Sequence, residues 1–226
     1  HTIGRRQRQM CIRVSIKISC DGGAATGKST GAKMIAKKYK LKFLSSGLLY
    51  RYAGYMILKR KPKNKIKFLK LIFKNVDYKK IQKINLQSPK ISEYSAVIAK
   101  IGEVRKILKK YQVDFSKKYK SCCIEGRDIS TKILPQSDIK FFFKCNNHIA
   151  SIRRYKELKK RKMNVKLSEV KKALRIRNIS DTKRKNSPLL KHRDSVVIDT
   201  GKLSKKSMLK KMSKYVERVL ENKHVY

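Results

Sequence analysis

The sequence predicts an α/β domain built around a parallel sheet, and three observations carry that expectation. Short apolar runs with strand character alternate along the chain with longer segments of helical spacing. Two of the runs, 121–124 and 139–143, are short, apolar and bounded by turn residues, as strands covered on both faces are. A glycine-rich loop stands between the first strand pattern and the first helix pattern.

In order, Ile12, Val14, Ile16 and Ile18 alternate with Arg13, Ser15 and Lys17, which predicts a strand over 12–18. Gly22 and Gly23 break it, and Ser29-Thr30 open a helix to about Tyr39. A short strand over 42–44 is followed by Ser45-Ser46-Gly47 and a helix over about 48–58. Residues 62–89 change texture: they are Lys-rich, with Phe68, Leu71, Ile72 and Phe73 as the strong apolar cluster, and read as an insertion. Helical spacing returns through Ile91, Ala96, Ile98, Ile101, Val104 and Leu108, predicting helix over 91–111. Further helices are expected at 147–161 and at 168–178, the second with Ser168 as N-cap. Val196-Val197-Ile198 supplies a last strand, and 204–221 a closing amphipathic helix.

Composition bounds the function. With 226 residues, 40% of them hydrophobic, the chain holds enough apolar mass for one domain with a sizeable core. No apolar run approaches the roughly 18 residues that a membrane-spanning helix needs. The formal charge of +46 invites a nucleic-acid reading, but 45 of the 61 basic residues are Lys, dispersed from Lys17 to Lys223. Dispersed Lys makes a solvated surface, whereas bidentate phosphate and base contacts favour Arg. The five cysteines (Cys11, Cys20, Cys122, Cys123, Cys145) show no metal-ligand spacing and are expected as reduced residues of a cytosolic protein. Residues 1–11 read as a leader, expected to be disordered and left out of the fold.

Gly22-Gly23-Ala24-Ala25-Thr26-Gly27-Lys28-Ser29 fits G-x-x-x-x-G-K-[ST] in the strand–loop–helix context the motif requires. Its glycines let backbone N–H groups turn inward around a phosphate; Lys28 adds a point charge, and the Ser29 hydroxyl can ligate Mg²⁺. A nucleoside triphosphate site follows. The scarce arginines are the second signal. Arg51, Arg105, Arg127, Arg153, Arg154, Arg177 and Arg184 recur at predicted element ends, a pattern suited to clamping more than one phosphate group.

Five segments, in order, resemble a bacterial-type cytidylate kinase of the nucleoside monophosphate kinase superfamily over about residues 12–221. They are Asp21-Gly22 to Thr30, Ser46-Gly47-Leu48-Leu49-Tyr50-Arg51, Gly126-Arg127-Asp128, Arg153 to Leu158, and Val197-Ile198-Asp199-Thr200. The resemblance implies a P-loop kinase: a three-layer core with a central parallel sheet over 12–60 and 94–226, a CMP-binding insertion over 61–93, and a helical lid over about 147–185. It implies ATP-dependent phosphorylation of CMP and dCMP to CDP and dCDP with Mg²⁺. Gly22, Gly23, Ala24, Ala25, Thr26, Gly27, Lys28, Ser29 and Thr30 would cradle ATP, with Ser29 on the metal. Ser46, Arg51, Arg127 and Arg184 would hold the CMP phosphate, Arg105 and Asp128 would read the cytosine, and Arg177 with Asp181 would bind the sugar. Lys28, Arg127, Asp128, Arg153 and Arg154 would serve the transfer, the last pair from the lid. The partners implied are ATP and CMP or dCMP, with no specific nucleic acid and no membrane, for a cytoplasmic monomer.

The base assignment also has a physical basis. Cytosine presents an amine donor beside two acceptors, so a carboxylate such as Asp128 can accept while an Arg such as Arg105 donates. Uracil replaces the amine by an oxygen, which leaves that carboxylate unpaired. Four positions depart from the family pattern: Ser45 and Asn178 stand where acids are usual, Ala150 where an Arg is usual, and Ala96 where a Ser is usual with Ser95 one place before. Two alternatives stay open from the sequence, a kinase for UMP or another small acceptor, and a basic RNA-binding protein. Against the second, Phe141-Phe142-Phe143 lies in a buried-strand pattern, whereas RNA readers expose aromatic platforms.

Overall fold

The computed structural model describes residues 15–224. Its elements are β1 (Lys17–Gly22), α1 (Lys28–Lys38), β2 (Lys42–Ser45), α2 (Ser46–Arg60), α3 (Lys65–Asn75), α4 (Tyr78–Gln82), α5 (Pro89–Ile98), α6 (Gly102–Lys118), β3 (Cys122–Gly126), a π-type turn (Ile129–Ile133), β4 (Ile139–Lys144), α7 (Asn147–Lys160), α8 (Leu167–Lys183), β5 (Val196–Asp199) and α9 (Lys205–His224). The five strands form one sheet in the order β2-β3-β1-β4-β5, every neighbouring pair parallel. β1 is the switch point, because the connection to β2 leaves on one side and β4 returns on the other. In open α/β sheets, ligands bind outside the carboxyl ends of the strands at such a point. The register brings Gly22, Ser45, Gly126 and Lys144 to that edge together.

Helices cover both faces, which is why the central strands carry little polarity. Ile18, Cys20, Cys122, Cys123, Ile124 and Phe141 have no exposed surface. Phe141 and Phe143 are buried, and Phe142 is half-buried. On one face α2, α3, α4 and α6 close a core through Leu44, Leu49, Leu69, Phe73, Ile81, Leu108 and Ile124. The segment read as an insertion therefore shares its apolar core with α2, α6 and β3. On the other face α1 and α9 pack Ile35, Met208, Met212, Val216 and Leu220 against β1 and β4. A third cluster, Ala24, Ala150, Leu158, Val170 and Leu174, joins α7 and α8 to the loop after β1. No described helix is long and apolar enough to cross a membrane.

Several expected boundaries move. Ile12, Val14, Cys11 and the expected leader lie outside the described residues, and the first strand runs 17–22, through the glycine expected to end it. Cys20, Cys122 and Cys123 are buried free thiols, and Cys145 is half-buried. The expected helix over 91–111 is two helices broken at 99–101, where Ile101 is extended and caps α6. The apolar spacing runs through the break unchanged, so periodicity cannot register it. Arg105 uses the turn, reaching back to donate to the Ala99 carbonyl at 3.1 Å. α8 begins before Ser168, with the Lys166 N–H donating to Glu169 at 2.9 Å, and extends to Lys183. Its buried apolar residues stop at Leu174, because its last two turns face a polar cleft.

Candidate active site

A cleft of about 680 Å³ opens along the carboxyl edge of the sheet. Its first wall is the loop between β1 and α1. Ala25 (φ 56°) and Gly27 (φ 78°) both take the left-handed conformation that turns successive N–H groups toward one concavity. Gly27 relieves the strain that a side chain would meet there, and Ala25 carries it. Thr26 Oγ1 donates to the Gly23 carbonyl at 3.1 Å, and Thr200 Oγ1 donates to the Thr26 carbonyl at 2.8 Å, fixing the loop from both sides. Among the residues expected to cradle a triphosphate, Gly23 to Thr30 line the cleft; Gly22 does not. Gly22 is instead the close approach of β1 to β4, where a Cβ would overlap the Phe143 carbonyl.

Lys28 is 6% exposed and ion-paired with Glu125, the penultimate residue of β3. Burial lowers the Lys28 pKa, against the pull of Glu125. Burial opposes ionisation of Glu125 as well, but Lys28 and the hydroxyl of Ser45 more than offset it, so its carboxyl lies below the usual range. Ser45 Oγ donates to the other Glu125 oxygen, and the Ser45 N–H donates to Tyr78 Oη at 2.7 Å. Position 45, where the family pattern has an acid, thus carries a hydroxyl that supports the carboxylate paired with Lys28. The Ser29 hydroxyl is exposed at the cleft beside it. Hard oxygens from a hydroxyl and a carboxylate suit Mg²⁺, which keeps several waters and takes its remaining ligands from phosphate.

The middle of the cleft collects the expected arginines. Arg127 Nε pairs with Asp181 at 2.8 Å, and Arg184 Nη1 lies 3.4 Å from the other Asp181 oxygen. Burial opposes the charge on Asp181, but Arg127 and the neighbouring guanidiniums hold its carboxyl low. Among the described residues Arg51 finds only the side-chain oxygen of Gln87, at 3.4 Å, and Arg177 Nε is buried without a hydrogen-bond partner. Burial, and then the positive charge of Arg127, Arg51 and Arg154, bring the Arg177 pKa down to about 10. Arg51 is lowered by burial and then by Arg154. These guanidiniums crowd one volume with too few carboxylates to balance them, which is the electrostatic form of an anion site.

At the far end, Arg105 Nη2 is ion-paired with Asp128, while Arg184 Nη2 stands 3.8 Å from the second Asp128 oxygen. The Tyr50 ring lies 5.7 Å from the Arg105 guanidinium, and burial pushes its phenol up to about 12. Ser46, 6% exposed at the start of α2, lines the cleft beside Gly126. Ser95 also lines it, but its hydroxyl donates to the Ser92 carbonyl at 2.7 Å within its own helix.

The side formed by α7 and α8 is less uniform. Arg153 and Arg154 both line the cleft. Arg153 donates to Thr200 Oγ1 at 2.8 Å and to the Thr200 carbonyl at 2.7 Å, holding α7 to the end of β5. Arg154 pairs with Glu157 at 2.8 Å. Ala150, where the family pattern has an Arg, is buried in the cluster that joins α7 and α8 to the loop after β1. Asn178 Oδ1 accepts from the Ala24 N–H at 3.1 Å, linking α8 to the phosphate-type loop. Glu125, Tyr50, Tyr78 and Gln87 also line the cleft, and none of them belongs to the site expected from sequence. Glu125 carried a signal: an acid closing the apolar run Cys122-Cys123-Ile124 marks the carboxyl end of a buried strand. The other three depend on how residues 61–93 fold over α2.

Comparison with known proteins agrees with this geometry. The family model described as cytidylate kinase matches residues 18–218. The chain is 32% identical over 206 residues to the cytidylate kinase of Rickettsia africae, covering 91% of this chain and 94% of that protein. It is 32% identical over 216 residues to that of Clostridium tetani, covering 91% and 95%. Among solved structures, an uncharacterized protein from Eubacterium ventriosum has the same fold with a TM-score of 0.53 at 16% identity, covering 90% of this chain and 99% of that one. TT1252 from Thermus thermophilus follows with a TM-score of 0.50 at 15% identity, covering 91% and 98%. With a phosphate-type loop, an arginine-lined middle and an Arg–Asp pair in one cleft, and with this match over nearly its whole length, the chain belongs to the cytidylate kinase family.

Proposed function

We propose that the chain transfers the γ-phosphoryl group of ATP to CMP, and to dCMP, giving ADP and CDP or dCDP. One observation carries the reading: a single cleft joins a triphosphate-type loop to an Arg–Asp pair through a group of under-balanced guanidiniums. A phosphate oxygen of CMP attacks the γ-phosphorus, and the bond to the β–γ bridging oxygen breaks. Little covalent chemistry is asked of the protein; it must hold two anions in line and meet the spreading charge. The loop N–H groups and Lys28 would hold the donor phosphates. Ser46, Arg51, Arg127 and Arg184 would hold the CMP phosphate, with Arg177 and Asp181 toward the sugar. Asp128 would accept from the cytosine amine while Arg105 donates to its ring acceptors. Arg153 and Arg154 would bring the lid over the reacting groups, keeping water from acting as acceptor.

Mg²⁺, when bound, neutralises charge on the donor phosphates; Ser29 and Glu125 would hold it, directly or through its waters. Lys28 must then exchange Glu125 for phosphate. Small nucleotides are the partners on this reading, in the cytoplasm and with one chain per cleft. Incubation with ATP, Mg²⁺ and CMP tests it: ADP and CDP should appear in equal amounts and only with CMP present. Lys28→Ala should lower kcat by about 100-fold or more. ADP formation without CDP would contradict the reading.

A further inference from the structure

Asp21 is a buried carboxylate with no exposed surface, one residue before the phosphate-type loop. It makes no ion pair with Lys or Arg among the described residues, and it does not line the cleft. Burying an unpaired carboxylate is costly unless its lone pairs are satisfied. They are satisfied by one short segment. Oδ1 accepts from the Ile129 N–H at 2.8 Å, and Oδ2 accepts from the Ser130 N–H at 2.7 Å and from Ser130 Oγ at 2.6 Å. Desolvation raises the Asp21 pKa, and the Ser130 and Ile129 hydrogen bonds act against it.

The segment so held directly follows Arg127 and Asp128. Asp21 lies opposite Gly126 in the β1–β3 register, so it meets the chain just where β3 ends. Past Asp128 the backbone turns at once into the π-type turn, and the Asp128 carbonyl accepts from the N–H groups of Lys132 at 2.9 Å and Ile133 at 3.2 Å. The two side chains that face the middle and far end of the cleft are therefore fixed from behind by one acid.

We infer that Asp21 is a positioning residue for the acceptor nucleotide, acting through Ile129 and Ser130 to aim Arg127 and Asp128 without touching either substrate. The inference rests on the reading of the cleft as an ATP:CMP transfer site. Asp21→Asn tests it, because the amide keeps one acceptor oxygen and turns an NH₂ donor against a backbone donor. The expected result is a rise of about tenfold in KM for CMP and a comparable fall in the preference for CMP over UMP, with KM for ATP within about twofold of the parent. A role in folding alone would lower Tm and leave those ratios unchanged, and that result overturns the inference. Equal rises in both KM values overturn it too. Should Asp21→Asn fail to fold, Ser130→Ala removes only the hydroxyl donor. It should raise KM for CMP by about threefold with KM for ATP unchanged, and an unaltered KM for CMP would overturn the inference. The parent enzyme, assayed alongside, separates the two claims. No CDP from the parent sinks the transfer reading and the inference with it, whereas an active parent with unaltered variants sinks only the inference.

Discussion

Glu125 shows how much of the cleft hangs on one side chain. Its two oxygens receive Lys28 and Ser45, and Ser45 is in turn held by Tyr78, so the acid links the loop, β2 and the segment after α3. Removing its charge leaves Lys28 buried without a counter-charge, a loss of about 3 kcal/mol by the usual cost of breaking a buried pair. The pH dependence follows from the shift. A carboxyl held below its ordinary value contributes stability that is present above about 4.5 and lost as pH falls through the depressed folded value. Glu125→Gln should therefore lower Tm at pH 7, and its difference from the parent should shrink as the pH is taken down to about 3. A difference that stays constant across that range would mean that folding does not lower the Glu125 pKa.

Asp128 and Asp21 differ by environment at the same scale. Asp128 meets two guanidiniums at the cleft wall, whereas Asp21 meets only donors of the turn behind it. Both acids stand out in a chain with so few, but nothing in the sequence separates an acid facing a ligand from one tying down the residues that do. The same holds for Arg153, whose guanidinium braces Thr200.

Among elements, those built on apolar alternation were legible and those built on polar faces were not. β3, β4 and α9 follow from their runs, because buried faces impose a period on the sequence. The last turns of α8 escape that logic, since Arg177 and Asp181 face the cleft, Asn178 bonds the loop after β1, and Val170 and Leu174 alone are buried in the helix. The break between α5 and α6 escapes it because a short turn with Ile101 alone extended preserves the spacing. α1 carries a sharper constraint. A Cβ at Gly31 would lie 2.6 Å from Phe143 Cε1 and 3.3 Å from the Met208 sulfur, so the helix approaches β4 and α9 only without a side chain there. Alanine favours helix over glycine by about 1 kcal/mol, whereas overpacking a core costs about 1–3 kcal/mol. Gly31→Ala should therefore leave the protein less stable by about 1 kcal/mol, read as a lower midpoint in urea at unchanged slope. An unchanged or higher midpoint would mean the α1–β4 contact opens without loss.

For the whole molecule, the charge of +46 and the cleft are separate matters. The Lys excess is spread over the surface. The arginines concentrate on one edge of the sheet, where Asp128 and Asp181 divide themselves among Arg105, Arg127 and Arg184, and Arg51 and Arg177 are left under-balanced. That partition was visible in the sequence as a few Arg at element ends against a Lys background. What the sequence could not supply was convergence, because residues as distant as Arg51 and Arg184 meet only through the parallel topology. On the proposed reading, the cleft's asymmetry, phosphate loop at one end and Arg105–Asp128 pair at the other, would make a cytosine nucleotide the acceptor. The direct test is kcat/KM for CMP, dCMP, UMP and AMP, measured side by side with ATP and Mg²⁺ in the parent and in Asp128→Asn. The parent should prefer CMP over UMP by about 100-fold or more, and Asp128→Asn should remove most of that preference. Equal or faster turnover of UMP by the parent, or an unchanged preference in Asp128→Asn, would contradict it.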